Sequence, residues 1–478
     1  MAIEDRLYPL LAAYDRLPRP LKSAIGWSYR QLPEGFRLGG RYREFVNLAH
    51  SCESWNATQI HDYQLTQLRE VLTHAGTHSP FYAKRFAEAR FRPSKLNNLE
   101  DLERVPLLTK QDMLLHREDM ASRAIPAAQR LYITTGGSTG VPVGFYLQKG
   151  VSRPKEQAFL EAQWERGGYF PGARLAVIRG YTTTSEASGR ISSYDATRDW
   201  LMLSSSHLTN ERMPEYLETI EKFKPDLLHV YPSAALQIAE YLEKHNQKLR
   251  VPLRGILAGS ERLTRPARKL LERVFGCRVY TWYGHSERAI LAGEGHGQSH
   301  DQSHEEGQDS RALYFWPTYG FVEFGPPDAN GFREVIGTSF HNLAMPLIRY
   351  RTGDYVRLLS DGAKRELPWP AAEAIEGREQ EFLVSATGRR ISLTAINMHD
   401  GIFDDLYAVQ FYQAEPGAAE LRYVPRPTFA SSRVSRIHEG VRRKLGDDFQ
   451  LVLREVSDTE KTARGKHRWL ISTIQERL

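Results

Sequence analysis

Hydrophobic positions along this chain first fall into a regular rhythm at Tyr63. Leu65, Leu68, Leu72 and Ala75 recur at three- and four-residue steps, so Gln64 to Ala75 presents one apolar stripe, as a helix does. Ser79-Pro80 breaks that helix, a second runs through Phe86, and Thr109 caps another after the turn Val105 to Leu108. After a further helix, Lys155 to Arg166, the rhythm changes: Arg174-Leu175-Ala176-Val177-Ile178-Arg179 is a short apolar run that predicts a buried strand. Helices are then predicted at Met213 to Phe223, at Ala234 to Lys244 with Ser233 as its cap, and at Arg265 to Phe275 with Thr264 as its cap. Between and after them lie strands at Leu227 to Tyr231, Gly255 to Ala258 and Cys277 to Trp282. This alternation predicts an α/β fold with parallel pairs, whose ligands sit beyond the strand C-termini. Three loops are thereby selected: Tyr231-Pro232-Ser233, Ala258-Gly259-Ser260-Glu261 and Tyr283-Gly284-His285-Ser286-Glu287. From Tyr319 to Leu359 the pattern is mainly β, Leu367 to Pro370 is a break, and a mixed α+β segment follows from Glu376 to the end.

The stretch Leu131 to Pro142 leaves an apolar run for a loop of glycines and hydroxyls: Thr134, Thr135, Gly136, Gly137, Ser138, Thr139 and Gly140. Glycines let the backbone approach an anion and turn its N–H groups into a positive nest, and the hydroxyls donate without adding charge. A Walker loop would end in Gly-Lys-Ser/Thr, whereas this one ends in Val141-Pro142-Val143. A surface turn between strands has the same composition, so the loops around it decide between the two.

Composition narrows the classes. Apolar residues make up 41% of the 478, enough for sizeable cores in two or three domains. There are 64 basic and 58 acidic residues, a formal charge of +6, and the basic ones are spread out, so no nucleic-acid partner is expected. The exception is Leu17 to Phe45, where Arg19, Lys22, Arg30, Arg37, Arg41 and Arg43 mix with Trp27, Tyr29, Phe36 and Tyr42. It reads as a packed helical arm, with weak contact to an anionic membrane surface as the alternative. Cys52 and Cys277 form neither a disulfide framework nor a zinc site by themselves. With no apolar leader after Met1 and no segment near the ~18 apolar residues of a membrane span, a cytoplasmic location is expected. His296, His300 and His304 stand four apart but among Gly, Ser, Gln and Asp, which predicts a polar loop rather than a metal-binding helix.

In order, these loops resemble the signature of the adenylate-forming superfamily of acyl- and aryl-coenzyme A synthetases, and most of all its phenylacetate-coenzyme A ligase-like branch, which includes members associated with surface-polysaccharide biosynthesis. The likeness runs from about Leu65 to the C-terminus and includes Pro106-Leu107-Leu108-Thr109-Lys110. It implies a large α/β domain over residues 61–376 and a small α+β lid over 377–478, with residues 1–60 as an N-terminal arm. Thr134 to Pro142 resembles the loop over the ATP phosphates, with Val143 where many members have lysine. Gly259-Ser260-Glu261 resembles the strip along the purine, and Tyr283-Gly284-His285-Ser286-Glu287 the motif in which the tyrosine faces adenine and the glutamate holds magnesium. Tyr350-Arg351-Thr352-Gly353-Asp354 resembles the motif whose aspartate accepts from both ribose hydroxyls. Gly377-Arg378 resembles the start of the hinge, with Arg378 near the ribose and Gln380 at the hinge position, and Thr462 to Lys466 resembles the loop of the catalytic lysine, Lys466.

The resemblance implies an enzyme that uses ATP and Mg2+ to join a small carboxylic acid to AMP and then passes the acyl group to coenzyme A. Lys466, Glu287 and Thr139 would carry the first step, and the acyl pocket would lie among Tyr231, Ser233, Ala258, Trp282 and His285. An amine acceptor, giving an amide, and a nucleotide-binding relative without turnover are the alternatives. The acid, the acceptor and the oligomeric state stay open.

Overall fold

The computed structural model describes residues 17–134, 143–179, 190–205, 207–261, 263–297, 311–328, 331–360, 362–376, 382–396, 402–403, 405–426, 429–460 and 468–474. The expected sites Thr135, Gly136, Gly137, Ser138, Thr139, Gly140, Arg378, Gln380 and Lys466, like His300 and His304, lie outside the described residues. In chain order the N-terminal part contains helices α1 (Arg19–Gln31), α2 (Glu34–Arg37), α3 (Tyr42–Cys52), α4 (Ala57–His78), α5 (Pro80–Glu88) and α6 (Lys110–Met120). Strands β1 (Arg130–Thr134) and β2 (Gly144–Gln148) and helix α7 (Ser152–Glu165) follow. Next come β3 (Leu175–Arg179), β4 (Ser192–Asp195), β5 (Trp200–Ser204), α8 (Met213–Phe223), β6 (Leu227–Val230), α9 (Pro232–Lys244), β7 (Gly255–Ala258) and α10 (Arg265–Phe275). Strands β8 (Arg278–Gly284), β9 (Leu291–Glu294), β10 (Leu313–Phe315), β11 (Gly320–Pro327), β12 (Arg333–Ser339), β13 (Tyr350–Leu358) and β14 (Ala371–Glu376) then run to the last part. That part holds β15 (Phe382–Val384), β16 (Arg390–Ser392), α11 (Leu393–Ile396), β17 (Leu406–Glu415), β18 (Ala418–Pro425), α12 (Arg433–Leu445), β19 (Gln450–Glu455) and β20 (Leu470–Ser472).

The helix boundaries follow local chemistry. Asn56 and Gln59 close a reciprocal capping box on α4, Ser79 caps α5 with Pro80 in its first turn, and Thr109 with Asp112 boxes the start of α6. Thr264 caps α10, which ends on Gly276 in the left-handed conformation. One predicted cap is different. Helix α9 starts at Pro232, and the Ser233 hydroxyl donates to Glu261 at 3.1 Å instead of closing its own helix, because the Glu261 carboxylate also accepts the Ser233 N–H at 2.9 Å.

The described residues divide into two compact units. One comprises those within Met1–Ile133, Gly144–Phe170 and Tyr280–Gly377. Its strands lie in the order β11, β12, β13, β14, β10, β9, β8, each antiparallel to its neighbours in that order. Phe45, Phe159, Tyr314, Trp316 and Trp369 share one of its cores. The core also buries a charge. Lys155 of α7 is fully enclosed, donates to the Tyr319 carbonyl at 2.8 Å and lies against the Tyr319 ring. Burial, against the pull of Glu156 and with the push of Arg288, brings its ammonium down to about 7.

The other unit comprises the described residues within Thr134–Val143, Pro171–Val279 and Arg378–Leu478. Strands β7, β6, β3 and β5 are parallel neighbours in that order, with β4 antiparallel at the edge of β5. These strands are nearly continuous apolar runs, as befits a sheet covered on its faces, and α8, α9 and α10 contribute Tyr216, Ile220, Ile238, Leu242 and Leu271 to the core. The C-terminal part of this unit has its own sheet, in the order β19, β18, β17, β20, packed with α12 around Phe411, Leu421, Ile437 and Val441.

Two predictions follow from this packing. A Cβ on Gly320 would stand 1.9 Å from the Ala289 carbonyl oxygen, and that backbone cannot rotate away, whereas Gly35 has open space. Gly320→Ala should therefore lower unfolding free energy by roughly 1–3 kcal/mol in urea titration, with Gly35→Ala near neutral. For Lys155 the folded pKa lies below the unfolded one, so between about 7 and 10.5 the unfolded chain binds more protons and stability rises with pH. Melting temperatures across that range should show a rise that is absent in Lys155→Met.

Candidate active site

The site starts from a burial problem. Strand β8 runs out at Gly284, and the chain then turns sharply, Arg288 N–H donating to the His285 carbonyl at 3.0 Å with Arg288 itself at a left-handed φ of 54°. That turn carries Glu287 into the interior. A carboxylate there needs donors. Tyr350 Oη donates to its Oε1 at 2.6 Å, and His285 Nδ1 pairs with its Oε2 at 3.1 Å. Burial pushes the Glu287 pKa up, but the His285 hydrogen bond and charge, the nearby Lys110 ammonium and the Tyr350 hydroxyl outweigh it, holding the carboxyl well below its usual range.

Lys110 is brought there by backbone pairing. Leu108 forms a lone parallel bridge with Tyr350: its N–H donates to the Arg349 carbonyl at 2.9 Å, and its own carbonyl accepts from Arg351 N–H at 2.9 Å. Arg349 secures the same junction, donating to the Glu103 and Val105 carbonyls at 2.7 Å each. The α6 capping box then starts the helix at Lys110. In the sequence, Lys110 and Tyr350 stand inside stretches that resemble the family but carry no assigned task. The only signal was proximity to a motif.

A second carboxylate is aimed by a strand irregularity. The β12–β13 register shifts between Glu334 and Ile336, opposite Arg351 to Tyr355, and Gly353 takes a φ of 75°. Such a bulge re-aims side chains. Thr352 Oγ donates to the Val335 carbonyl at 2.8 Å and accepts Asp354 N–H at 3.1 Å, and the Asp354 carboxylate accepts from Tyr283 Oη at 3.0 Å. Burial, then the Asp354 charge, keeps the Tyr283 hydroxyl far above its ordinary range and thus a donor. The structure therefore brings Tyr283, His285, Glu287, Tyr350 and Asp354 together within one unit. Gly284 and Ser286 lie on the same turn, and Trp282 packs edge-on against Trp164 at 5.6 Å.

The remaining described candidates lie in the other unit. Tyr231 N–H donates to the Ile178 carbonyl at 3.2 Å and Gly259 N–H to the Val230 carbonyl at 3.3 Å, which puts both just past the strand ends. Ala258 pairs with Val230, Ser260 takes a φ of 68°, and Glu261 holds the start of α9 through Ser233. Of the expected acyl-pocket residues, Tyr231, Ser233 and Ala258 thus belong to this unit, and Trp282 and His285 to the first. Thr134 closes β1. In the first unit, His296 pairs with Glu53 at 3.0 Å.

The donor chemistry suits a hard cation. An ionised carboxylate has about four lone-pair sites, so Glu287 keeps acceptor capacity beside Tyr350 and His285, and Mg2+ typically takes one or two carboxylates with phosphates and water. Among the described residues no group of three His, Cys, Asp or Glu could hold a metal without such help.

No family model matches the chain. In fold it is similar to an acyl-coenzyme A ligase, 2-hydroxyisobutyryl-CoA ligase solved with 2-HIB-AMP and CoA: TM-score 0.57 and 17% identity over 90% of this chain and 93% of that one. The architecture is that of the adenylate-forming ligases. Sequence likeness goes further, with 30% identity to the phenylacetate-coenzyme A ligase of Pseudomonas putida over 346 residues, 70% of this chain and 73% of that protein. Protein CapK of Staphylococcus aureus is 23% identical over 451 residues, 92% of this chain and 94% of CapK. The chain belongs to the phenylacetate-coenzyme A ligase family.

The buried carboxylate makes stability depend on acid. Because the folded Glu287 pKa is depressed, its contribution is present above about 4.5 and is lost as pH falls below that. Melting temperatures between pH 3 and 6 should fall less steeply in Glu287→Gln than in the wild-type protein, though from a lower plateau.

Proposed function

We propose that the protein activates a small carboxylic acid with ATP as an acyl-adenylate and transfers the acyl group to coenzyme A. The observation that carries this reading is the pair of tyrosine-anchored carboxylates, Glu287 under Tyr350 and Asp354 under Tyr283, within the stretches that resemble the family's motifs. In the first step a carboxylate oxygen attacks the α-phosphorus and the bond to pyrophosphate breaks. In the second the coenzyme A sulfur attacks the acyl carbon, losing its proton, and AMP leaves.

The difficulty of the first step is bringing two anions together, so positioning and charge neutralisation do the work. Glu287 would hold Mg2+, which neutralises phosphate charge when bound. His285, Lys110 and Tyr350 keep Glu287 ionised for that task. Thr134, Thr135, Gly136, Gly137, Ser138, Thr139 and Gly140 donate to the phosphates in this reading. The Tyr283 ring, with Gly284, Ser286 and the Gly259-Ser260-Glu261 strip, lines the adenine. Asp354 takes the ribose hydroxyls with Arg378 beside them, and one oxygen already accepting from Tyr283 keeps its carboxylate oriented. Lys466, on a lid of residues 377–478, bridges the acid's carboxylate and the α-phosphate.

Magnesium- and acid-dependent pyrophosphate release across aryl, fatty, hydroxy and amino acids tests the reading. Lys466→Ala should reduce it by about 100-fold or more, and Asp354→Ala should mainly raise KM for ATP by roughly tenfold or more. No release from folded, ATP-binding protein over the whole panel would defeat it. Thioester formation with coenzyme A, set against amide formation with amines, decides the acceptor.

A further inference from the structure

Strands β5, β3, β6 and β7 run parallel, so their C-terminal ends share one edge of the sheet, where open α/β sheets take ligands. Arg179 is the last residue of β3 and reaches across that edge. Its Nη1 donates to His229 Nε2 at 2.7 Å, its Nη2 donates to Ser260 Oγ, and its Cζ stands 4.9 Å from the centre of the Tyr231 ring. The guanidinium, at the end of β3, is thus fixed by the ends of β6 and β7. All its partners are neutral: burial, and then the Arg179 charge, drives the His229 pKa well below the ordinary histidine range, so Nε2 offers a lone pair.

The acidic residue beside Ser260 is engaged elsewhere. Both Glu261 oxygens accept from Ser233 at the start of α9. Among the described residues no carboxylate pairs with Arg179, whose side chain is only half-buried. A guanidinium that is charged, immobilised and uncompensated is preorganised for an anion, and its planar fork matches a carboxylate. The carboxylate undergoing adenylation loses its charge as it attacks phosphorus, so beyond Lys466, which in the proposed reading also meets the α-phosphate, a second fixed cation on the carboxylate alone would favour the ground state. A group that stays anionic throughout the reaction does not incur that penalty.

Resting on the adenylation reading, we propose that Arg179 binds a second anionic group of the acid substrate, so that the enzyme selects dianionic acids over their monoanionic counterparts. His229 acts as its positioning residue. The test is calorimetric titration of the full chain, with a non-hydrolysable ATP analogue present, using length-matched pairs: glutarate against valerate, and terephthalate against 4-methylbenzoate. Wild-type protein should bind the dianion of at least one pair about tenfold tighter or more, a preference that falls to within about twofold in Arg179→Gln and is partly kept in Arg179→Lys. Melting curves check that both variants fold. Absence of a dianion preference in the wild type, binding of neither pair, or a preference unchanged in Arg179→Gln overturns the proposal. So does a loss in Arg179→Gln confined to the ATP analogue, which would assign the cation to nucleotide phosphate. Because binding is read without turnover, failure of pyrophosphate release would count against adenylation alone.

Discussion

An ionised carboxylate buried from solvent is the constraint from which the proposed site in the first unit is built. Glu287 can be buried as an anion only if donors and positive charge arrive from elsewhere, and the chain supplies them from separate places. His285 comes from the same turn, Tyr350 from the start of β13, and Lys110 from the head of α6. The backbone bridge between Leu108 and Tyr350 is what makes the last two neighbours. Stability and chemistry are therefore hard to separate here: a change that loosens the bridge also weakens what keeps the carboxylate ionised.

The second carboxylate sits in a different balance. Asp354 rides on a bulge, is steadied by a threonine through its own backbone N–H, and accepts from a tyrosine whose proton is locked on by burial. Two acids on adjoining segments thus differ in what surrounds them rather than in type. Such a difference is what the proposed chemistry requires, one group meeting a cation and the other meeting sugar hydroxyls.

Much of this was legible before any coordinates. The run from Arg174 to Trp282 alternates short apolar stretches with capped amphipathic ones, and proline or glycine marks nearly every boundary, so strands and helices fell close to where they form. Loops at the strand ends could be picked out by the same logic. What stayed hidden depends on partners far away in the chain. Ser233 looks like a cap until Glu261 takes its hydroxyl, 28 residues on. Lys155 looks like a solvated helix residue, yet the carbonyl it serves lies 164 residues ahead. Arg179 looks like the polar end of a buried strand, and only the sheet reveals that His229 and Ser260 wait beside it. Local pattern reports local partners; a charge satisfied across the fold leaves no mark on its neighbours.

The interleaving of the two units has a consequence for how the protein is made. Tyr82 in the first unit hydrogen-bonds the Pro346 carbonyl, 264 residues later, and Gln64 reaches Pro317 over 253. At about 5–20 residues per second of synthesis, such helices wait roughly 13–50 s on the ribosome for their partners. The β3 to α10 segment, in contrast, is contiguous, and the apolar cluster it closes is drawn from residues 176–279 alone. A nascent chain would therefore finish its inserted α/β layer while Phe45, Leu68 and Tyr82 are still without the strands that cover them. The N-terminal third is the part that most needs chaperone cover, although its own sequence is among the most regular in the chain.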